Sequence, residues 1–340
     1  MLDKFRKVRF NLFIVMCLMV ILSACSSGSS EVSESSSGKE SDGKSELTKV
    51  TQVTNWFAEA EHGGQYAALQ QGFYEEAGLD MTIQSGGPQV SGIQLVASGK
   101  VEFAMAHADE VLMARAQGIP IVAIAAPLQV NPIAFMSHTE NKLNQIEDLS
   151  GKTTYILPGQ PFWNYILNTH DVKNVKEIAY TGSMANFVAD KTAYTQGYVT
   201  NEAYSLGQEG IDFTSMLIAD ATGYNPYACM LITTEDQIKD NPEMVQAYVE
   251  ASLKGWEYYK DNYEEVNPFL QEYNPDATLE WFTFGAKTSK DLIWTGDALE
   301  HGVGYMSLER WETLYEQMVD GKLLEAPLDV NAAFTTEFLK

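Results

Sequence analysis

The stretch VTNWFAEAEHGGQYAALQQGFY, residues 53–74, decides the fold. Its short β-branched run ends at Asn55-Trp56, and a turn rich in carboxylates then leads to Gly63-Gly64. Large side chains recur beyond the turn at spacings of three and four, which predicts a helix. Open α/β sheets place ligands where a strand ends in a turn that feeds a helix, because N–H groups and side chains converge there. We therefore predict a ligand site at Trp56; an ordinary turn with this side chain in the core is the alternative.

The same alternation of strands and helices continues along the chain. Most of the strand-like runs are continuously apolar, which favours an α/β fold with largely parallel, buried sheets. Asp109 stands where the N-cap of a helix over 110–117 would lie. Strands are predicted at 79–84, 101–106, 121–126, 132–136, 153–157, 177–180, 194–199, 213–218 and 229–233, and further helices at 91–98, 184–189, 202–208 and 308–318, with others opening at Pro161 and Pro242.

Two such α/β series followed by long helices predict two lobes. We assign residues 50–138 and 235–340 to the first lobe and residues 139–234 to the second. The expected architecture is a two-lobe periplasmic-binding-protein fold of type II, with the lobes joined by a hinge.

The N-terminus indicates export and anchoring. Four basic residues precede an apolar run too short for a stable membrane span, which is typical of a secretory signal peptide over residues 1–24. The signal ends in Leu-Ser-Ala before Cys25, a pattern that resembles the bacterial lipobox, in which the thiol is lipidated. Residues 25–49 are rich in Ser, Gly and Glu and predict a flexible tether. We therefore expect a monomer anchored to the extracytoplasmic face of the membrane.

Charge and cysteine content limit the partners. Removing residues 1–24, with four basic residues and one acid, leaves 18 basic against 45 acidic residues. This excess of negative charge excludes nucleic acid as a partner. Only Arg115 and Arg310 remain as arginines, which disfavours an anionic ligand without excluding it, since helix N-termini also hold anions. Cys229 would be a single thiol in an apolar run, so we expect no disulfide and an inert side chain. No spacing predicts a metal site.

Six short motifs in this order resemble the NMT1/THI5-like solute-binding proteins of ABC transporters. The resemblance spans roughly residues 50–260 and implies two lobes that close on a small ligand and present it to a membrane permease. Members of this family bind sulfonates, nitrate, taurine, thiamine-precursor pyrimidines or flavins. The motifs are Asn55-Trp56 through His62-Gly63, Gly72-Phe73-Tyr74 with Ala77-Gly78-Leu79, Ser98 to Val101, Gln117 to Pro120, Asp148 to Lys152, and Asn241-Pro242.

The start Asn55-Trp56 and the segment GYVTNE at 197–202 look most similar to formylaminopyrimidine-binding proteins. That resemblance implies that Trp56 stacks on a pyrimidine, with Tyr198 and Glu202 contributing from the second lobe. The chemistry is consistent, since stacking stabilises a planar ring by about 1 kcal/mol beyond its buried area. A carboxylate can also accept hydrogen bonds from a ring amino group. For Glu202 the alternative is a residue stabilised by the dipole of a helix N-terminus.

Four further side chains complete the predicted site. His62 precedes the Gly-Gly pair and is a candidate cleft hydrogen-bonding group, although helix-entry residues are often structural. His107 and Asp109 follow another strand, as cleft residues do, but a plain N-cap also explains Asp109. Trp163 could supply a second stacking ring, and we expect its neighbour Phe162 to pack in the core.

The family resemblance also raises an enzymatic alternative. The fungal pyrimidine synthase uses a histidine that matches His62, but its lysine for pyridoxal phosphate falls at Ala106 and its second histidine at Glu110. Its cysteine-rich motif falls near residues 223–227, which read GYNPY. A Schiff base cannot form on alanine, so we reject the synthase and expect no cofactor. We predict a receptor for a thiamine-precursor pyrimidine; riboflavin, a sulfonate such as taurine, or a sensor role without a permease remain alternatives.

Overall fold

The computed structural model describes residues 46–325 and 327–339. The predicted signal peptide, Cys25 and the tether up to residue 45 lie outside them. Thr48 and Lys49, which fall in the predicted tether, already belong to the first strand and pair with the second. Within the described residues, no helix combines the length and the apolar character that a membrane span requires.

Five strands form the first sheet, in the order β2-β1-β3-β10-β4. Four run parallel, and β10 is antiparallel to both of its neighbours. β3 and β4 are buried along their whole length, which explains their uninterrupted apolar sequence. β2 lies at the edge and alternates between buried and exposed residues. The bounds are β1 Thr48–Val53, β2 Leu79–Gln84, β3 Phe103–Ala106, β4 Ile121–Ala125 and β10 Met230–Thr234.

The second sheet repeats this plan in the order β7-β6-β8-β5-β9. Here β5 is the strand that runs antiparallel to its neighbours. In each sheet, therefore, the antiparallel strand is the one that enters from the other lobe. The bounds are β5 Ile133–His138, β6 Thr153–Ile156, β7 Lys176–Ala179, β8 Tyr194–Tyr198 and β9 Phe213–Leu217.

These strands correct the predicted lobe boundaries. Residues 133–138, which we assign to the first lobe by sequence, form β5 of the second sheet. Residues 230–234, assigned to the second lobe, form β10 of the first sheet. Hydrophobic runs identify both strands, but pairing partners depend on contacts that are remote in sequence.

The two connections between the sheets lie side by side. Leu128 and Ala228 form an antiparallel bridge. Arg310 then donates to the carbonyl oxygens of Gln129, at 2.7 Å, and Asn225, at 3.2 Å. These paired crossings are the hinge of a two-lobe fold, and one of the two arginines noted in the sequence serves it.

Helices cover both sheets, and glycines allow one close approach. A Cβ atom on Gly255 would lie 2.0 Å from the carbonyl oxygen of Gly64, so α1 can contact α10 only with glycine there. The predicted helix after Gly64 is divided at Gly72, whose φ is 74°. α10 is kinked at Asn262. The helices are α1 Gly63–Gln70, α2 Phe73–Glu76, α3 Gly92–Ala97, α4 Ala108–Ala116, α5 Pro161–Thr169, α6 Ala185–Ala189, α7 Glu202–Gln208, α8 Ile218–Thr222, α9 Glu235–Asp240, α10 Pro242–Tyr273, α11 Leu279–Ile293, α12 Ala298–His301 and α13 Leu308–Asp320.

Candidate functional site

A cavity of about 210 Å³ lies between the two sheets, where parallel strands of both end. Its walls combine aromatic, amide and carboxyl side chains from the two lobes. It contains seven of the eight residues predicted as the ligand site. The lining residues are Asn55, Trp56, Glu59, Glu61, His62, Gly87, Pro88, Val90, His107, Asp109, Glu110, Asn131, Ile133, Leu157, Pro158, Gln160, Phe162, Tyr180, Gln196, Gly197, Tyr198, Asn201, Glu202, Tyr224, Pro226 and Cys229.

Trp56 forms part of the cavity wall just after β1. Its side chain is partly exposed, whereas a core tryptophan such as Trp256 is fully buried. A Cβ atom on Gly182 would lie 3.5 Å from Trp56 Cζ2, so the indole reaches the second lobe. The ring of Phe57 meets it edge-on, with centroids 5.6 Å apart. The indole is thus placed where a ligand ring could stack on it.

The prediction for Trp163 is wrong. This side chain is only 3% exposed, packs 5.8 Å from the ring of Phe135 and does not line the cavity. Its neighbour Phe162 is buried in the core as expected, at 4% exposed, and also lines the cavity. Successive residues of a helix point about 100° apart, so the way α5 packs on the second sheet decides which ring faces the ligand.

His62 lies at the cavity but is committed to hydrogen bonds within the protein. Its Nδ1 accepts from the backbone N–H of Glu59 at 3.2 Å, so the proton is on Nε2, which donates to Asn55 Oδ1 at 3.0 Å. Burial lowers the pKa of His62 to about 3. The imidazole is therefore neutral and holds the Asn55-Trp56 turn against the start of α1.

The carboxylates of Glu59 and Glu61 face the second lobe. Asn201 donates from Nδ2 to Glu59 Oε2 at 2.7 Å and to Glu61 Oε1 at 3.1 Å. The hydroxyl of Thr200 also donates to Glu61 Oε1. Burial raises the pKa of Glu59 well above its ordinary value, and the charges of Glu61 and Glu202 raise it further. Burial likewise raises the pKa of Glu61. These contacts hold the two lobes together across the cavity.

Glu202 begins α7 on the opposite wall. Its carboxylate accepts from the Tyr180 hydroxyl at 2.7 Å and from the backbone N–H of Tyr198 at 2.6 Å. A Cβ atom on Gly197 would lie 3.0 Å from the side chain of Glu202, so glycine makes room for this fold-back. Burial raises the pKa of Glu202. The motif GYVTNE thus positions the carboxylate of Glu202 beside Tyr198 at the cavity.

The start of α4 supplies a second acidic group. The helix begins at Ala108 with His107 as its N-cap, so the prediction of Asp109 as N-cap is wrong. Asp109 accepts from the hydroxyl of Tyr224 at 2.9 Å, and burial raises its pKa to about 6. Burial also raises the pKa of Glu110, which accepts from the His107 N–H, and lowers that of His107. The Tyr198 hydroxyl lies 3.3 Å from His107 Nε2, a further contact between the lobes.

The charged side chains that line this cavity are all of one sign. Five carboxyl groups line it, and its lining contains no lysine or arginine. Arg115 instead pairs with Glu235 at 2.7 Å, and Arg310 binds the hinge. The five carboxyl groups belong to Glu59, Glu61, Asp109, Glu110 and Glu202.

Several lining residues were not in the predicted site. The sequence shows Glu59 and Glu61 as a carboxylate-rich turn and Asn201 inside the GYVTNE motif, but nothing local shows that these groups meet. Cys229 also lines the cavity, and burial raises the pKa of its thiol well above the ordinary value. The thiol is therefore protonated, in keeping with the expected inert side chain. Among the described residues, no group of three or more His, Cys, Asp or Glu side chains could hold a metal ion.

Comparison with known proteins gives the family and the fold. The profile of the family described as NMT1/THI5 like matches residues 59–266. The riboflavin-binding protein RibY of Chloroflexus aurantiacus is 28% identical over 86% of both chains. The formylaminopyrimidine-binding protein of Halalkalibacterium halodurans is 25% identical over 85% of this chain and 90% of its own. A 4-amino-5-hydroxymethyl-2-methylpyrimidine phosphate synthase of Legionella pneumophila is 26% identical over 86% of this chain and 92% of its own.

A solved structure confirms the predicted architecture. The alkanesulfonate-binding protein SsuA of Xanthomonas axonopodis superposes with a TM-score of 0.65, covering 86% of this chain and 99% of its own, at 13% identity. The two-lobe periplasmic-binding-protein fold is therefore established.

Proposed function

The chain belongs to the NMT1/THI5-like family, and on that premise we propose that it is the solute receptor of an ABC importer for an aminopyrimidine of the thiamine-precursor type. One observation carries the ligand class: a partly exposed Trp56 faces a cavity whose opposite wall holds Tyr198 and Glu202. An aromatic face with a hydrogen-bonding carboxylate suits a flat ring that carries amino groups.

The size of the cavity favours a single ring. Sites for drug-sized ligands measure about 300–1,000 Å³, whereas this cavity measures about 210 Å³. An aminopyrimidine needs less room than the three fused rings and ribityl chain of riboflavin. Riboflavin remains the second candidate because a relative named for it matches most of the chain.

Charge disfavours the sulfonate alternative. An oxyanion gains most from bidentate arginine, and the lining of this cavity offers neither arginine nor lysine. Five carboxyl groups would instead repel it.

The residues disfavour the synthase alternative. Ala106, where the resemblance places the cofactor lysine, is a buried methyl group at the end of β3 and cannot form an imine. Segment 223–227 contains no cysteine. We therefore assign binding rather than catalysis to this chain.

Delivery to a membrane completes the proposal. The N-terminal sequence predicts a signal peptide and lipidation at Cys25, which would anchor a monomer on the extracytoplasmic face beside its permease. Closure of the lobes around the ligand would then present the loaded form to the permease.

Binding assays with the purified full chain test the ligand class. A thermal-shift panel of 4-amino-5-hydroxymethyl-2-methylpyrimidine, its formylaminomethyl analogue, riboflavin and taurine should show a shift with the pyrimidines. The Trp56→Ala variant should weaken pyrimidine binding about tenfold or more, since stacking is lost, while its melting temperature without ligand changes little. Trp281→Ala, at a partly exposed tryptophan outside the cavity, is the matched control. A shift with riboflavin alone would overturn the pyrimidine and keep the receptor.

A further inference from the structure

The five carboxyl groups of the cavity have no cationic partner in the protein. None of the ion pairs between described residues includes Glu59, Glu61 or Glu202, or the acids at the start of α4. Their partners are neutral donors: hydroxyls, an amide and backbone N–H groups. Such donors satisfy carboxylate oxygens but do not balance charge. Buried carboxylates without a countercharge are costly, and here three of them interact with one another.

Two oxygens at this cluster lack any hydrogen-bond partner. They are Glu61 Oε2 and Asn201 Oδ1, on side chains that are 1% and 4% exposed. Both residues line the cavity, one from each lobe. Both atoms are acceptors, so the missing group is a donor. The described His, Cys, Asp and Glu side chains form no group of three or more that could hold a metal ion.

We propose that the natural ligand is a cation, namely a flat nitrogen heterocycle that carries a protonated alkylamine. This inference rests on the proposed function and specifies the ligand further. The ring stacks on Trp56, and the ammonium group enters the cluster formed by Glu59, Glu61 and Glu202. An ammonium group has three donors and no acceptor, which matches the unpartnered oxygens of Glu61 and Asn201. Its charge offsets the carboxylates that no lysine or arginine balances.

A pair of probes that differ in one group tests the charge. 4-amino-5-hydroxymethyl-2-methylpyrimidine is neutral at its side group, and the analogue with aminomethyl in place of hydroxymethyl is nearly isosteric and protonated there at pH 7.5. Titration calorimetry with the full chain at low salt should give the ammonium compound an affinity at least tenfold higher. Raising the salt concentration should reduce this ratio only modestly, because the cluster is buried.

Variants assign the preference to the cluster. In Glu61→Gln the ratio of the two affinities should fall below threefold, since a neutral amide replaces one of the charges. The control Glu209→Gln, at the exposed residue that directly follows α7, should keep the wild-type ratio. If Glu61→Gln does not fold, Glu59→Gln supplies the same test. The ratio of the two affinities in the wild-type protein tests the charge of the ligand without any variant.

The outcomes separate this inference from the proposed function. Equal or weaker binding of the ammonium compound, with the hydroxymethyl compound bound, overturns the cation and leaves the pyrimidine receptor intact. Failure of both pyrimidines to bind overturns the proposed ligand class as well. A preference that persists unchanged in Glu61→Gln and Glu59→Gln overturns the cluster as the ammonium site.

Discussion

The two lobes face each other across the cavity with opposite chemistry. The first lobe presents Glu59 and Glu61 from one loop and two more acids from the start of α4. The second presents mainly neutral donors, of which Asn201 and Thr200 bind the two glutamates. Its own acid, Glu202, is satisfied within the lobe by Tyr180 and a backbone N–H.

This difference shows how closure of a binding cleft can depend on the bound ligand. The second lobe supplies hydrogen bonds that make closure possible, yet it brings a third carboxylate toward two others. Closed without a ligand, the lobes bury Glu59, and this burial, together with the charges of Glu61 and Glu202, raises its pKa. A cationic ligand removes the cost and so shifts the lobes toward the closed arrangement.

Asn201→Leu should have the largest effect on stability. The substitution removes the amide that donates to both first-lobe glutamates and leaves their oxygens buried. We expect the free energy of unfolding to fall by about 3 kcal/mol, measured by urea denaturation. Asn164→Leu, at an exposed position on α5, is the control and should change it by less than about 0.5 kcal/mol. An equal loss in both variants would contradict the contact between the lobes.

Glu59→Gln should raise the stability of the protein without ligand, whereas Asn201→Leu lowers it. The fold raises the pKa of Glu59, so this carboxyl keeps its proton to higher pH in the folded protein than in the unfolded chain. The contribution of this carboxyl group to the free energy of unfolding of the wild type is complete at low pH. It is lost as pH rises through the folded-state pKa. Without ligand, the variant should therefore melt about 2–4 °C higher at pH 8, equivalent to about 1 kcal/mol.

The pH dependence supplies the control for that variant. The advantage of Glu59→Gln should shrink as pH falls through the folded-state pKa of Glu59, because the wild-type carboxyl is then protonated in the folded protein. Comparing the two proteins at each pH cancels the contribution of His62, whose lowered pKa acts in the opposite sense. A constant difference in melting temperature from pH 8 to pH 5 would contradict the burial of a charged Glu59.

Tyr198→Phe should have the smallest effect on the free energy of unfolding. It removes one long hydrogen bond between the lobes, that of the Tyr198 hydroxyl with His107 Nε2 at 3.3 Å, and keeps the ring. We expect a loss of about 0.5–1 kcal/mol in the free energy of unfolding. Tyr204→Phe, on α7 outside the cavity, is the control in the same denaturation experiment. A loss of about 3 kcal/mol would show that this contact, and not the glutamate cluster, holds the lobes together.

The elements of the fold followed from local patterns. β2 was predicted with its observed bounds, since an edge strand alternates apolar and polar residues. α7 was also predicted with its observed bounds. The strand ends that form the cavity could be located because each is followed by a turn and a helix, which is visible in sequence. Trp56 was placed at the cavity for that reason, whereas Tyr198 and Glu202 were placed there by the family resemblance, and the binding roles of all three stay a prediction.

The order of strands and helices, the excess of acid and the strand ends where a ligand could bind are readable from the chain alone, because propensity and hydrophobic period are local properties. Long-range packing places β5 and β10 in exchanged sheets and turns Phe162 rather than Trp163 toward the cavity. The same packing brings Glu59 and Asn201, 142 residues apart, together across the cleft. Pairing, helix rotation and burial of charge depend on contacts remote along the chain, and no local pattern encodes them.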